Sequence, residues 1–249
     1  MKIALMLFIF LSLFGRTMNI TNNMKEKELI FTTTATLYAP EITNTISIYG
    51  NKMSNSPFIQ NIEIRVFDND NNLLYSFVPT INYGYSPKLT PLDFIGNGLQ
   101  QIFYSADSGG SGGYGFYYVY ELSDTGYKTL FDFEEFSQNN QYSGTFLDNY
   151  RAEIKTNTTT YLLDVSNMDE FYKDKIYNKD GTVKEPNIDI GLVNTVFPVF
   201  NSTQNIWFLQ IYQKATAVAQ VNVLGYVVNE LQYENNQFTP FLQFFAIFQ

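Results

Sequence analysis

The chain has 249 residues, of which 45% are hydrophobic and 17% are aromatic, and its formal net charge is −9. A chain of this length and apolar content can bury a full core, which excludes a disordered segment. With 15 Lys and Arg against 24 Asp and Glu, and with neither Cys nor His, the composition argues against nucleic-acid binding, docking on anionic lipid, disulfides, thiolate catalysis and histidine-based chemistry.

Residues 1–22 have the pattern of a signal peptide or an N-terminal anchor. Lys2 supplies a positive charge, and the uncharged apolar run Ile3–Phe14 follows it. A bilayer crossing takes about 20 apolar residues, so this run fits the hydrophobic part of a signal better than a spanning helix. A strand or helix packed in the core is the alternative. We expect cleavage near residues 15–21 and a protein that is extracellular or attached to the cell envelope, with no membrane contact beyond this segment.

Beyond residue 28, strand-like runs alternate with turns rich in Asn, Asp and Gly, which is typical of a β-rich fold. Asn and Asp favour such turns because they tolerate left-handed backbone and hydrogen-bond to their own chain. No linker rich in Pro, Ser or Gly divides the chain, so we predict a single β-rich domain over residues 28–249. The predicted hairpins are Ile59–Phe67 with Leu73–Pro79, Tyr114–Leu122 with Lys128–Phe133, and Gly225–Tyr233 with Gln237–Phe248.

One short helix is predicted over residues 168–177. Asn167 and Glu170 have the spacing of a capping box, and apolar residues follow at nearly helical period. The aromatic strand that begins at Tyr114 carries rings on both faces, so we interpret it as an inner strand of the core. A stacking platform for sugar rings is the alternative for that strand.

The glycine-rich stretch 105–115 contains residue spacings that match a catalytic motif and a cofactor-binding motif. Gly109-x-Ser111-x-Gly113 has the spacing of a nucleophile elbow, but its serine would need a base, and the chain has no His. Gly110-x-Gly112-x-x-Gly115 has the spacing of a dinucleotide fingerprint, but a strand follows where that fingerprint needs a helix.

We therefore interpret this stretch as a tight connection between strands, for which Gly supplies positive φ. A ligand loop lined by backbone is the alternative. In that case the candidate ligand-binding residues are Ser108, Ser111, Tyr114 and Tyr117. We predict no catalytic residue and no cofactor.

A second loop has the outline of a calcium site. Asp93, Asn97 and Gln101 occupy three of the positions that would supply oxygen ligands, and Ile95 occupies a fourth position with no ligand atom. Calcium needs several oxygen ligands, mostly carboxylates, so a single carboxylate is too few. We predict no metal site here and expect Asp93 to accept hydrogen bonds from backbone N–H groups instead.

Several of these segments together resemble the FG-GAP/VCBS-type exported proteins of low-GC Gram-positive bacteria. The resemblance covers roughly residues 60–249, with its most specific part over 91–122. It implies a mainly-β, β-propeller-like or incomplete propeller arrangement of antiparallel sheets, in secreted or envelope proteins without established catalysis. The segments that carry it are Asp93–Gly98, Gln101–Ile102, Ser108–Tyr114, Tyr117–Tyr120, Asn82–Pro87 and Leu224–Val227.

Asp132, Glu134 and Glu135 form an acidic cluster, for which a solvated turn is the preferred interpretation. Two facing carboxylates could instead hydrolyse a glycoside. We expect an exported, non-catalytic binding or scaffold protein whose partner is an envelope component or a polysaccharide. The alternative is a carbohydrate-active protein that binds sugar through aromatic rings or cleaves it with carboxylates.

Overall fold

The computed structural model describes residues 26–110, 112–219 and 222–247, whose strands form two antiparallel sheets. The first sheet has the order β1-β2-β3-β5-β6-β7-β8, with β4 beside β3. Consecutive strands are joined by short turns and therefore pair antiparallel. Its strands are β1 Glu28–Ala35, β2 Asn44–Lys52, β3 Phe58–Phe67, β4 Leu73–Phe77, β5 Gly84–Leu92, β6 Gln101–Asp107, β7 Gly115–Leu122 and β8 Tyr127–Asp132.

The second sheet has the order β11-β10-β9-β12-β13-β14-β15. Its strands are β9 Ser143–Leu147, β10 Arg151–Lys155, β11 Thr160–Asp164, β12 Asn187–Asn201, β13 Ile206–Thr216, β14 Val223–Glu234 and β15 Gln237–Ala246. Helix α1, Phe133–Asn139, joins the two sheets, and helix α2, Glu170–Ile176, lies between β11 and β12. Within the described ranges, neither of these seven-residue helices has the length or the apolar character to cross a bilayer.

The second sheet curls until its two edges meet. The Tyr161 hydroxyl on β11 donates to the carbonyl oxygen of Gln243 on β15 at 3.2 Å, and the rings of Tyr161 and Phe245 lie 6.1 Å apart. Inside the curl is an apolar cluster that includes Phe146, Ile154 and Val227. The sheet is thus nearly a barrel, and side chains rather than a strand ladder join its edges.

A larger cluster of buried residues is shared by both sheets. It contains Ile48 and Tyr104 of the first sheet together with Val196, Leu209 and Leu231 of the second. Side chains alternate between the two faces of a strand. The same face of β12–β14 therefore packs on the first sheet at one end of these strands and lines the inside of the curl at the other end. Folding of the second sheet therefore completes the core of the first.

The predicted mainly-β class with antiparallel sheets is confirmed, with 58% of the described residues in strands and 6% in helices. The sheets hold eight and seven strands, whereas a regular propeller blade holds four, so they are not divided into blades. Helix α2 lies within the predicted range 168–177, but α1 was not predicted. Helix α1 begins at the residue where the predicted strand 128–133 ends. The predicted signal segment lies outside the described residues.

Candidate functional site

The glycine-rich loop after β6 docks on the second sheet. The side-chain amide of Asn194 donates to the carbonyl oxygens of Gly112 and Gly113 at 3.1 and 2.9 Å. The Lys214 ammonium donates to Gly112 at 2.7 Å and lies 5.7 Å from the ring centroid of Tyr114. Lys214 is only 8% exposed, and its ammonium group is engaged in the contact that holds this loop.

The four candidate ligand-binding residues of this region have different surroundings. Ser108 is partly buried, and its backbone N–H donates to the Tyr114 carbonyl at 2.9 Å. Tyr114 is partly buried, and both burial and the nearby charge of Asp189 raise the pKa of its hydroxyl. Tyr117 is 8% exposed, and its hydroxyl lies 3.1 Å from the Thr195 hydroxyl. Ser111 lies outside the described residues.

A cleft of about 620 Å³ opens on the outer face of the second sheet, beside the docked loop. Clefts that hold small molecules have volumes of about 300–1,000 Å³. Two of its wall residues, Asn194 and Thr195, are the same residues that bond to the glycine-rich loop and to Tyr117. The lining consists of Asn194, Thr195, Phe197, Tyr212, Asn222, Val223, Gly225 and Tyr226.

Three aromatic rings line this cleft in a row across β12, β13 and β14. The centroids of Phe197 and Tyr212 lie 5.8 Å apart with an interplanar angle of 81°, and Tyr212 and Tyr226 have the same separation and angle. Edge-to-face packing of this kind is the favoured geometry of aromatic pairs. Because Phe197 remains 52% exposed, the row presents a ring to solvent as well as packing on itself.

A chain of hydrogen bonds fixes the central ring of the row. The Tyr212 hydroxyl donates to the side-chain oxygen of Gln210, whose amide donates to Glu230 at 2.7 Å. Burial and the Glu230 charge raise the pKa of the Tyr212 hydroxyl, so the ring stays neutral at physiological pH. The cleft therefore has a preformed aromatic wall.

A second cleft of about 390 Å³ is a neighbour of the first, and Asn222 and Val223 line both. The Asn222 side-chain oxygen is buried and has no hydrogen-bond partner among the residues that the structure describes. A buried acceptor without a donor is costly, but an atom with no exposed surface is not reached by a ligand in the open cleft. The further lining of the second cleft is Asp164, Val165, Asn167, Met168, Asp169, Leu224 and Ile247.

The calcium-like loop is closed by its own backbone. The Asp93 carboxylate accepts from the N–H groups of Gly96 and Gly98 at 2.6 and 2.8 Å, as the sequence predicted. The Gln101 side-chain oxygen accepts from Phe94 and Ile95. In the described part of the chain, no group of three or more acidic residues could hold a metal ion.

The acidic cluster lies at the beginning of α1 rather than in an irregular turn. Asp132 is the N-cap and accepts from the N–H groups of Glu134 and Glu135 at 2.8 and 3.4 Å. An acidic cap and acidic first-turn residues satisfy free N–H groups and complement the helix dipole. Asp132 and Glu135 also line a groove of about 370 Å³ beside β15.

Sequence reasoning found the loop beside the cleft but missed most of the cleft itself. Tyr114 and Tyr117 lie next to its wall, whereas Phe197, Tyr212 and Tyr226 were not named as ligand-binding candidates. The signal that could have found them is an aromatic residue at the exposed face of three successive strands. Their alignment depends on the pairing of Tyr212 with Thr195 and of Tyr226 with Lys214.

Comparison with known protein families gives a match over the second sheet. Residues 140–246 match the family described as the YybI C-terminal domain, a range that runs from just before β9 to the end of β15. No solved structure matches the chain. The FG-GAP/VCBS resemblance rested chiefly on residues 91–122, which lie outside the matched range, and the comparisons give no support for it.

The chain is also 26% identical over 220 residues to the uncharacterized protein YybI of Bacillus subtilis (strain 168). The similarity covers 86% of this chain and 83% of that protein, so it includes both sheets. A relative in a Gram-positive bacterium is consistent with the bacterial group that the sequence suggested. Residues 140–246 are thus similar to the YybI C-terminal domain, and most of the chain is similar to YybI itself.

Proposed function

We propose that this protein is an exported, non-catalytic binding protein of the cell envelope or the extracellular space, and that its ligand occupies the cleft on the second sheet. The observation that carries the proposal is the lining of that cleft, which combines three aromatic rings with neutral amide and hydroxyl groups. None of its eight lining residues is acidic or basic. Such a surface can hold a ligand, and its described lining offers neither a carboxylate nor an imidazole for acid–base catalysis.

Export is supported by the sequence of the first 22 residues, with a positive charge before a short apolar run. The missing Cys and His also suit a binding protein better than an enzyme, since they remove the commonest nucleophile–base pairs. A hydrolase that uses carboxylates is the second candidate, because Asp132 and Glu135 share one groove. Asp132 is already engaged as the cap of α1, which counts against a role as acid or base.

Cell fractionation and sedimentation with purified cell-wall sacculi of the host test the proposal. We expect the native protein in the wall or medium fraction, with a new N-terminus near residues 15–21, and we expect the purified protein to sediment with sacculi. A full-length protein confined to the cytosol would refute export. Release of sugar from sacculi, lost in Asp132→Asn or Glu135→Gln, would instead support the hydrolase.

A further inference from the structure

We propose that the cleft binds an uncharged oligosaccharide chain, an inference that rests on the proposed binding function and gives it a ligand class. The two faces of a sugar ring present C–H groups, and its rim presents hydroxyls. A site for it therefore needs aromatic surface together with neutral donors and acceptors. The row formed by Phe197, Tyr212 and Tyr226 supplies the first requirement.

The polar groups of the cleft supply the second requirement. The Asn194 side-chain nitrogen donates to Gly112 and Gly113 of the glycine-rich loop, so the acceptor that this lining residue can offer is its side-chain oxygen. Thr195 adds a hydroxyl whose position is fixed by Tyr117. Acceptors held in this way match the hydroxyl donors of a sugar.

The charges around the cleft exclude anionic ligands. Lys214 of β13 is buried and donates to Gly112. The ionised groups that act on the surrounding tyrosines are acidic, with Asp189 beside Tyr114 and Glu230 beside Tyr212. A cation could meet the aromatic faces, but among the described lining residues of this cleft there is no carboxylate to pair with it. The uncharged lining therefore favours a neutral ligand.

The shape of the site favours a chain over a single sugar. The second cleft shares Asn222 and Val223 with the first, so the two clefts are neighbours. The acidic residues of the second cleft have structural roles, since Asp164 accepts from Ser166 and Asp169 caps α2. A ligand of several units could therefore extend past Asn222 and gain contacts that a short ligand cannot reach.

Isothermal titration calorimetry on the full mature chain tests this inference. The probes are cellohexaose and chitohexaose as neutral chains, their disaccharides, hexagalacturonate as an anionic chain and tetramethylammonium as a cation. We expect at least one neutral hexamer to bind, more tightly than its disaccharide, and neither charged probe to bind. Phe197→Ala should weaken binding about tenfold, whereas Phe197→Trp should retain it.

Phe200→Ala is the matched control, because Phe200 is 46% exposed on the same strand but does not line the cleft. Circular dichroism verifies that each variant is folded. Failure of every neutral hexamer to bind, or equal weakening by Phe197→Ala and Phe200→Ala, overturns the inference. Sedimentation with sacculi in the absence of neutral-chain binding would leave the binding function standing and refute the ligand class alone.

Discussion

Glu63 on β3 is the centre of a small charge cluster at the surface of the first sheet. Its carboxylate accepts from Arg65 at 2.9 Å and from Lys27 at 2.5 Å, and the Arg65 guanidinium lies 4.1 Å from the ring centroid of Tyr49. Burial by itself would raise the pKa of Glu63, but the hydrogen bonds from Arg65 and Lys27 outweigh it and lower the pKa to about 2.

The cluster makes stability depend on pH in acid. A carboxyl whose folded pKa lies below its ordinary value of 4.5 stabilises the protein fully above that value. This contribution is lost as the pH falls from 4.5 toward 2. We expect Glu63→Gln to lower the free energy of unfolding by about 1–2 kcal/mol at pH 7 and to flatten its decline over that interval.

Urea denaturation between pH 2 and 7 measures both effects. Glu170→Gln is the control, because the Glu170 side chain is 81% exposed in its pair with Lys173 and should change stability by less than about 0.5 kcal/mol. An unchanged acid slope in Glu63→Gln would show that other carboxyls govern the decline.

The connection between β5 and β6 shows how a loop with a calcium-like outline is stabilised without metal. Gly96 and Gly98 have φ of 81° and 79°, in the left-handed region that favours Gly, and both donate to Asp93. The Asp93 carbonyl accepts from Trp207 at the beginning of β13, at 2.9 Å. The loop is thereby tied both to itself and to the second sheet.

Chelation should therefore have no effect on stability. We expect the Tm in differential scanning fluorimetry to be the same with EDTA and with calcium, because an ion that does not bind the native state cannot stabilise it. Asp93→Ala should lower the free energy of unfolding by about 1–3 kcal/mol in either condition, since two N–H groups lose their acceptor.

The exposed Asp124, in the turn between β7 and β8, provides the control Asp124→Ala, which should be nearly neutral. The metal-free account fails if EDTA lowers the Tm, calcium restores it and Asp93→Ala abolishes the difference.

Turns were the elements that the sequence predicted best. The turn at 68–72 is stabilised by Asp68, which accepts from Asp70 and Asn72, and Asn71 has φ of 65°. Local chemistry of this kind is visible in the sequence because the residues that matter are adjacent. Helix α1 carries a local signal too, since Asp132 and Glu135 have capping-box spacing, but the preceding strand pattern concealed it.

The candidate site could not be predicted in the same way, because it depends on strand register. The register of β12 against β13 shifts on both sides of Val193, which places Asn194 at an irregularity. A shift of one residue would move a strand's side chains to the opposite face of the sheet. No local pattern reports such a shift, so the alignment of Phe197 with Tyr212 appears only in the folded chain.

At the scale of the whole molecule, the two sheets share the cluster that contains Leu209 and Leu231. The docked glycine-rich loop adds polar contacts at the same junction through Asn194 and Lys214. Separation of the sheets would expose apolar residues of both, so neither should remain folded once the other unfolds.

We accordingly expect one transition in differential scanning calorimetry, with equal calorimetric and van't Hoff enthalpies. Leu209→Ala, at a residue with no exposed surface, should lower the free energy of unfolding by about 2–5 kcal/mol and move the whole transition. Leu192→Ala is the control on the same sheet, because Leu192 is 61% exposed. Two transitions, of which Leu209→Ala moves only one, would show that the sheets unfold independently.

The curl of the second sheet also has a consequence for internal motion. Strands β9–β11 are joined to β12 by two residue pairs, Thr145 with Asn187 and Gly144 with Ile188, and the Phe146 N–H donates to the Pro186 carbonyl at 2.7 Å just before β12. The other edge of the three strands meets Gln243 of β15 through the side chains of Tyr161 and Thr156. Few backbone hydrogen bonds must therefore break for these three strands to separate from the rest of the second sheet. Local opening there costs less free energy than global unfolding, and it would admit water to the inside of the curl while the long ladder from β12 to β15 stays intact.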